Sequence, residues 1–164
     1  MTDVTAPVFA TDYQIYINHT DAGGIVYHAN HLVFFENCRR DYLTKIGLNT
    51  YFLTSEEGNL QHFVVSQIDI KYQKAILLDE RITVQIDHID VKPASLIFHQ
   101  SIHRKDDKNG ASTVLSHAKI IIACVENQAG SDANSASGNI RPIRVPKKLH
   151  DIIQNTLNQQ PLNN

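Results

Sequence analysis

Residues 19–43, HTDAGGIVYHANHLVFFENCRRDYL, place one carboxylate, Asp21, just ahead of a glycine pair and seven residues before His28. The stretch then becomes an aromatic-rich amphipathic pattern that reads as a helix. A helix start exposes unpaired N–H groups and a partial positive charge, which favour anions and polarised carbonyl oxygens. A carboxylate beside it could attack a carbonyl carbon to form an anhydride, or take a proton from a water that makes the same attack. A thioester suits such a site, because its thiolate leaves without needing much protonation.

Each of these residues also has a plainer reading. Asp in an Asp-Ala-Gly-Gly sequence is by default a turn former bonding its own backbone. His28 and His31 are three apart, as metal ligands can be, but no third ligand follows at a convincing spacing, so capping or surface roles are expected and no metal. His19 could partner Asp21 as a base, although neighbours two apart more often share a solvated face. Glu36 fits a solvent-facing acid or a group orienting the site. Tyr27 fits a packed aromatic with its hydroxyl at the surface.

The elements that position these residues follow from periodicity. YQIYIN (13–18) alternates as a first strand. Gly23 and Gly24 permit backbone conformations that side chains forbid. Asn30 is the expected N-cap of a helix from about His31 to Ile46, with Gly47 as its stop. Leu32, Phe35, Tyr42, Leu43 and Ile46 form its apolar stripe, and Arg39, Arg40 and Lys45 lie off it. Four strands follow, at 63–73, 80–89, 94–104 and 112–126. The first sets Val64, Ile68, Ile70 and Tyr72 on one face with Ser66 among them, and the third sets Leu96, Phe98, Gln100 and Ile102 in phase. KDDKNGAS carries an Asn-Gly step suited to a hairpin. Residues 127–139 read as a flexible loop, and a short helix ends the chain.

This order is α+β: one long helix wrapped by a curved antiparallel sheet, the hotdog arrangement, in a single domain over 1–164 with its core at about 13–150. A sheet of this size leaves edges and a face uncovered, so an oligomer is expected. The 15 Lys and Arg against 17 Asp and Glu leave no basic footprint for nucleic acid. No run approaches the ~20 apolar residues that span a bilayer, and the acidic N-terminus does not read as a secretory signal. Cys38 and Cys124, far apart in apolar patterns, read as reduced core residues, which fits the cytoplasm.

TDAGGIVYHANHLVFFENCRRDYL resembles the signature of hotdog acyl-CoA thioesterases of the 4-hydroxybenzoyl-CoA thioesterase type. Within that type it is most similar to the small bacterial branch associated with the Tol-Pal system. The likeness runs over about residues 13–150, through FVVSQIDIKYQKAILLDERITVQIDHIDVKPASLIFHQSIHR and the closing RPIRVPKKL. It implies that Asp21 is the essential carboxylate and that N–H groups around Tyr27 and His28 polarise the thioester carbonyl. It further implies that His28 contributes to the site and that Gly24 keeps the turn open. The expected site is therefore Asp21, His28 and Tyr27 for catalysis and Gly24 and Asn30 for substrate binding, with no metal and no cofactor. The expected partners are an acyl-CoA or acyl carrier protein substrate and further copies of the chain, as a homodimer or homotetramer. Three departures stand out: His19 where the branch often has an acid, YQKAI without the usual proline, and the insertion QAGSDANSASGN. A hydratase or dehydratase acting on acyl thioesters, or a non-catalytic carrier-binding module, are the competing readings.

Overall fold

A computed structural model of the chain describes residues 6–48, 53–106, 110–127 and 140–159. Strand β1 (Phe9–Gln14) leads through a 3₁₀ turn (Ile17–His19) to helix α1 (His28–Lys45). Then come β2 (Leu53–Thr54), β3 (Leu60–Tyr72), β4 (Arg81–Val91), β5 (Ser95–Lys105), β6 (Ser112–Asn127), β7 (Ile140–Pro142) and α2 (Lys147–Asn158). The strands form one antiparallel sheet in the order β1-β4-β5-β6-β3-β2, with β7 on β6.

The inner face of the sheet carries Ile82, Val84, Ile86, Leu96, Phe98, Ile102 and Ile120, all buried. Against it α1 lays Phe34, Phe35, Cys38 and Tyr42, equally buried. Truncating Phe35 or Phe98 to alanine would cost ~3–5 kcal/mol by this burial. The helix closes as expected at Gly47. Its φ is +90°, and the Gly47 and Leu48 N–H groups donate to the Thr44 and Leu43 carbonyls, a Schellman closure.

The structure corrects four sequence expectations. The first strand lies upstream, at Phe9–Gln14, and 17–19 form the 3₁₀ turn that aims the chain at the helix. Helix α1 starts three residues early, at His28, with Tyr27 rather than Asn30 at the N-cap. Arg39 is buried, not off the stripe, because Gln100 and Glu36 satisfy its guanidinium. In β3 a bulge between Val65 and Gln67 changes the phase, so Phe63 and Val65, not Val64 and Ser66, share a face with Ile68, Ile70 and Tyr72.

β3 is paired on one side by β6 and on the other only at Leu60 and Gln61 by the short β2. Its remaining outer edge has no strand partner among the described residues. The expected loop at 127–139 falls, after Asn127, outside the described residues, as does Asn109 of the Asn-Gly step. Gly110, at φ +67°, helps close that hairpin, where the Asp106 N–H donates to the Ala111 carbonyl at 2.8 Å. Among the described residues no helix is long and apolar enough to cross a membrane.

Candidate active site

Asp21 sits in a tight hairpin that runs straight into α1. Its N–H donates to the Ile25 carbonyl at 2.9 Å, and Thr20 pairs with Val26. The Tyr27 N–H returns to the His19 carbonyl at 3.0 Å, so the acid and the helix start lie on the two arms of one hairpin. The turn works because Gly24 adopts φ +74°, with its N–H on the Asp21 carbonyl at 3.1 Å. The turn-forming reading of Asp21 is realised. Its Oδ1 accepts from the Gly23 N–H at 2.8 Å, which fixes the side-chain rotamer. The residue is exposed, and among the described residues no other donor reaches its carboxylate.

Helix α1 begins without a side-chain cap among the described residues. The Tyr27 N–H is taken by His19 and the Asn30 N–H by the Tyr27 carbonyl at 2.8 Å, so the first-turn donors without a partner among the described residues are the N–H groups of His28 and Ala29. The Asn30 side chain turns back instead: its Nδ2 donates to the His19 carbonyl at 2.7 Å and staples the helix to the 3₁₀ turn. The exposed rings of Tyr27 and His28 lie 4.4 Å apart between centroids.

His19 does not partner Asp21. Its Nδ1 accepts from the Tyr16 N–H at 2.9 Å, and its ring meets Phe34 edge-on at 5.1 Å. His31 does not join His28 either. It is buried, its Nδ1 is 2.9 Å from Ser116 Oγ on β6, and its ring stands edge-on to Tyr72 at 4.9 Å. Burial first, and then the charge of His28, push its pKa down to about 4, so the ring is neutral at pH 7.

Sequence reasoning missed His31, Ser116 and Tyr72 as supports of the helix start. A signal was available: His31, Phe34, Phe35, Cys38 and Tyr42 form a stripe at helical spacing, which places His31 on the core side. Ser116 carried no such signal, since only strand pairing brings it there.

Residues 23–111 match the model of the thioesterase superfamily, a span that holds the glycine turn, all of α1 and strands β2 to β5. The chain belongs to the thioesterase superfamily. It is 32% identical over 141 residues to the acyl-CoA thioesterase YbgC of Haemophilus influenzae, covering 86% of this chain and 90% of that one. The probable thioesterase of Bartonella henselae superposes with a TM-score of 0.63 at 26% identity, over 84% of this chain and 97% of that one. The 4-hydroxybenzoyl-CoA thioesterase of Pseudomonas sp. strain CBS-3 shares the fold, with a TM-score of 0.66 at 17% identity, over 88% and 99%. As a superfamily member with these neighbours, the chain is a hotdog-fold thioester hydrolase.

Proposed function

We propose that the chain hydrolyses acyl-CoA thioesters to free acid and coenzyme A, with Asp21 as the reacting carboxylate. The observation that carries this reading is the hairpin pairing Tyr27 with His19, which sets Asp21 beside an uncapped helix start. The names of the relatives agree with it, since the YbgC proteins of Haemophilus influenzae and Escherichia coli O157:H7 are an acyl-CoA thioesterase and an acyl-CoA thioester hydrolase.

In the proposed reaction the thioester oxygen lies on the His28 and Ala29 N–H groups, donors worth ~3–4 kcal/mol each to a developing oxyanion. Asp21 either takes the proton of an attacking water or attacks the carbonyl carbon itself, giving an anhydride that water then opens. In both routes the tetrahedral oxyanion collapses, the C–S bond breaks, and the thiolate departs. His28, Tyr27, Gly24 and Asn30 shape the surroundings of the bound thioester. A second copy of the chain covers the open edge of β3, in a dimer or tetramer, and acyl carrier protein is an alternative thiol carrier. The Tol-Pal branch and a cytoplasmic setting follow from the same resemblance.

The test is thiol release from a panel of acyl-CoAs by wild type and Asp21→Asn. A drop of ~10²–10⁴-fold in kcat is expected on removing a general base. A mutant close to wild type would sink the assignment of Asp21. Single turnover in ¹⁸O-water tests the anhydride route, because label enters the Asp21 carboxylate only when water opens an anhydride at the aspartyl carbonyl.

A further inference from the structure

A cavity of about 190 Å³ opens between the second half of α1, the inner face of β3 and β6, and α2. It lies away from Asp21, along the helix. Its far walls are Leu43, Leu48, Leu53, Phe63, Ile122 and Leu149. Its polar side is Glu36, Arg39, Arg40 and His62, and Glu36 pairs with Arg39.

The apolar face of β3 runs from the helix start to this cavity. On α1 the apolar Val33 and Leu43 lie on one stripe with the charged Glu36 and Arg40 between them, and Val33 is half exposed. Facing it, the bulge in β3 brings Tyr72, Ile70, Ile68, Val65 and Phe63 onto one face. Of these, Tyr72 bonds the His28 carbonyl at the helix start, and Val65 and Phe63 line the cavity. Val65, Ile68 and Tyr72 are 46%, 39% and 45% exposed, apolar surface in line between the helix start and the cavity.

Length and volume select the occupant. At a rise of 1.5 Å per residue, Glu36 lies ~12 Å and Leu43 ~22 Å along α1 from His28. A zigzag alkyl chain built of ~1.5 Å bonds advances about 1.25 Å per carbon. It therefore reaches the near wall after about ten carbons and the far wall after about eighteen. The cavity has room for on the order of ten water-sized groups, and a methylene takes up about as much space as a water.

Building on the thioesterase reading above, we propose that this cavity receives the tail of a long straight-chain acyl group, of about fourteen to eighteen carbons, whose carbonyl lies at the start of α1. An aromatic or short acyl group would leave the cavity empty.

The experiment is thiol release from butanoyl-, hexanoyl-, benzoyl-, dodecanoyl-, hexadecanoyl- and octadecanoyl-CoA, each below its micelle concentration, with calorimetric binding of hexadecanoate beside it. Each buried methylene is worth up to about fourfold in kcat/KM. At least a tenfold rise from hexanoyl- to hexadecanoyl-CoA is expected. Val65→Phe and Leu43→Phe fill the cavity from opposite walls. Each should lose at least tenfold on hexadecanoyl-CoA and stay within about twofold of wild type on hexanoyl-CoA. Hexadecanoate binding by wild type that both variants abolish supports the cavity even if no thiol is released, a result that would sink only the hydrolase reading. A preference for hexanoyl- or benzoyl-CoA, or variants that lose short and long substrates equally, overturns the proposal.

Discussion

The phenol of Tyr72, the last residue of β3, donates a 3.1 Å hydrogen bond to the main-chain carbonyl of His28, the first residue of α1. The edge strand thus holds the helix start directly. Desolvation keeps the phenol above its ordinary pKa of 10.0, so it remains a donor at neutral pH. Tyr72→Phe should cost only ~0.5–1 kcal/mol of stability, since the group is half exposed. It should lower kcat about three- to tenfold while KM moves little, because the loosened first turn presents its N–H groups less well. Steady-state thiol release beside thermal melts reads both. An unchanged kcat would remove Tyr72 from the support of the site.

Gly23 offers a gentler probe of Asp21 than deletion of the acid. A Cβ added at Gly23 would lie 3.1 Å from Asp21 Oδ1, so the carboxylate must give way by a few tenths of an ångström. Gly23→Ala should reduce kcat about tenfold with stability nearly intact. Gly24→Ala should behave differently. At φ +74° a side chain costs ~1–2 kcal/mol, to be read as a lower melting temperature.

The element order was legible in the sequence because period-two and helical patterns survive tertiary packing. The phase of β3 was not. Alternation pointed to Val64 and Ser66, and a single bulge at Ser66 moved Phe63 and Val65 inward instead. No local residue type announces such a bulge. Local residue types alone start helix α1 three residues late because Asn30 is a good cap by type, whereas its amide is spent on the His19 carbonyl. The turn made by Asp21 was legible from its glycine pair. The supports of the helix start were not, since His31, Tyr72 and Ser116 come from α1, β3 and β6 and meet only through register.

Arg39 and Glu36 predict an asymmetric response to mutation. Burial pulls the Arg39 guanidinium below its ordinary range, against the attraction of Glu36. It also donates to Gln100 Oε1 at 2.8 Å and lies over the Phe98 ring. Glu36→Ala should cost about 2 kcal/mol, because it leaves a buried charge less well compensated; the half-exposed position of Glu36 keeps the figure below the ~3–5 kcal/mol of a fully buried pair. Glu36→Leu combined with Arg39→Met should recover most of that loss, since an apolar replacement removes the charge along with its partner. Urea unfolding of the single and double variants reads the coupling. A double variant less stable than Glu36→Ala would show that the ion pair itself contributes the stability.

His31 makes stability depend on pH in a defined window. Its ring is held neutral, with a pKa of about 4 against 6.5 in a free chain, by burial and by His28 nearby. As pH falls through 6.5, the unfolded chain takes up a proton that the folded chain refuses until about pH 4. Stability is therefore complete above pH 6.5, falls between 6.5 and 4, and levels off below. The 2.5-unit gap corresponds to on the order of 3 kcal/mol. For a chain of this length that is ~6–12 °C in melting temperature. His31→Gln can keep a polar contact to Ser116 Oγ but cannot titrate. Subtracting its melting curve from that of wild type across pH 4–8 cancels every other ionisable group, including His103, which desolvation also lowers. The difference should be flat above pH 7 and bend downward below 6.5, and a difference flat throughout would mean that the ring takes up its proton as readily folded as unfolded.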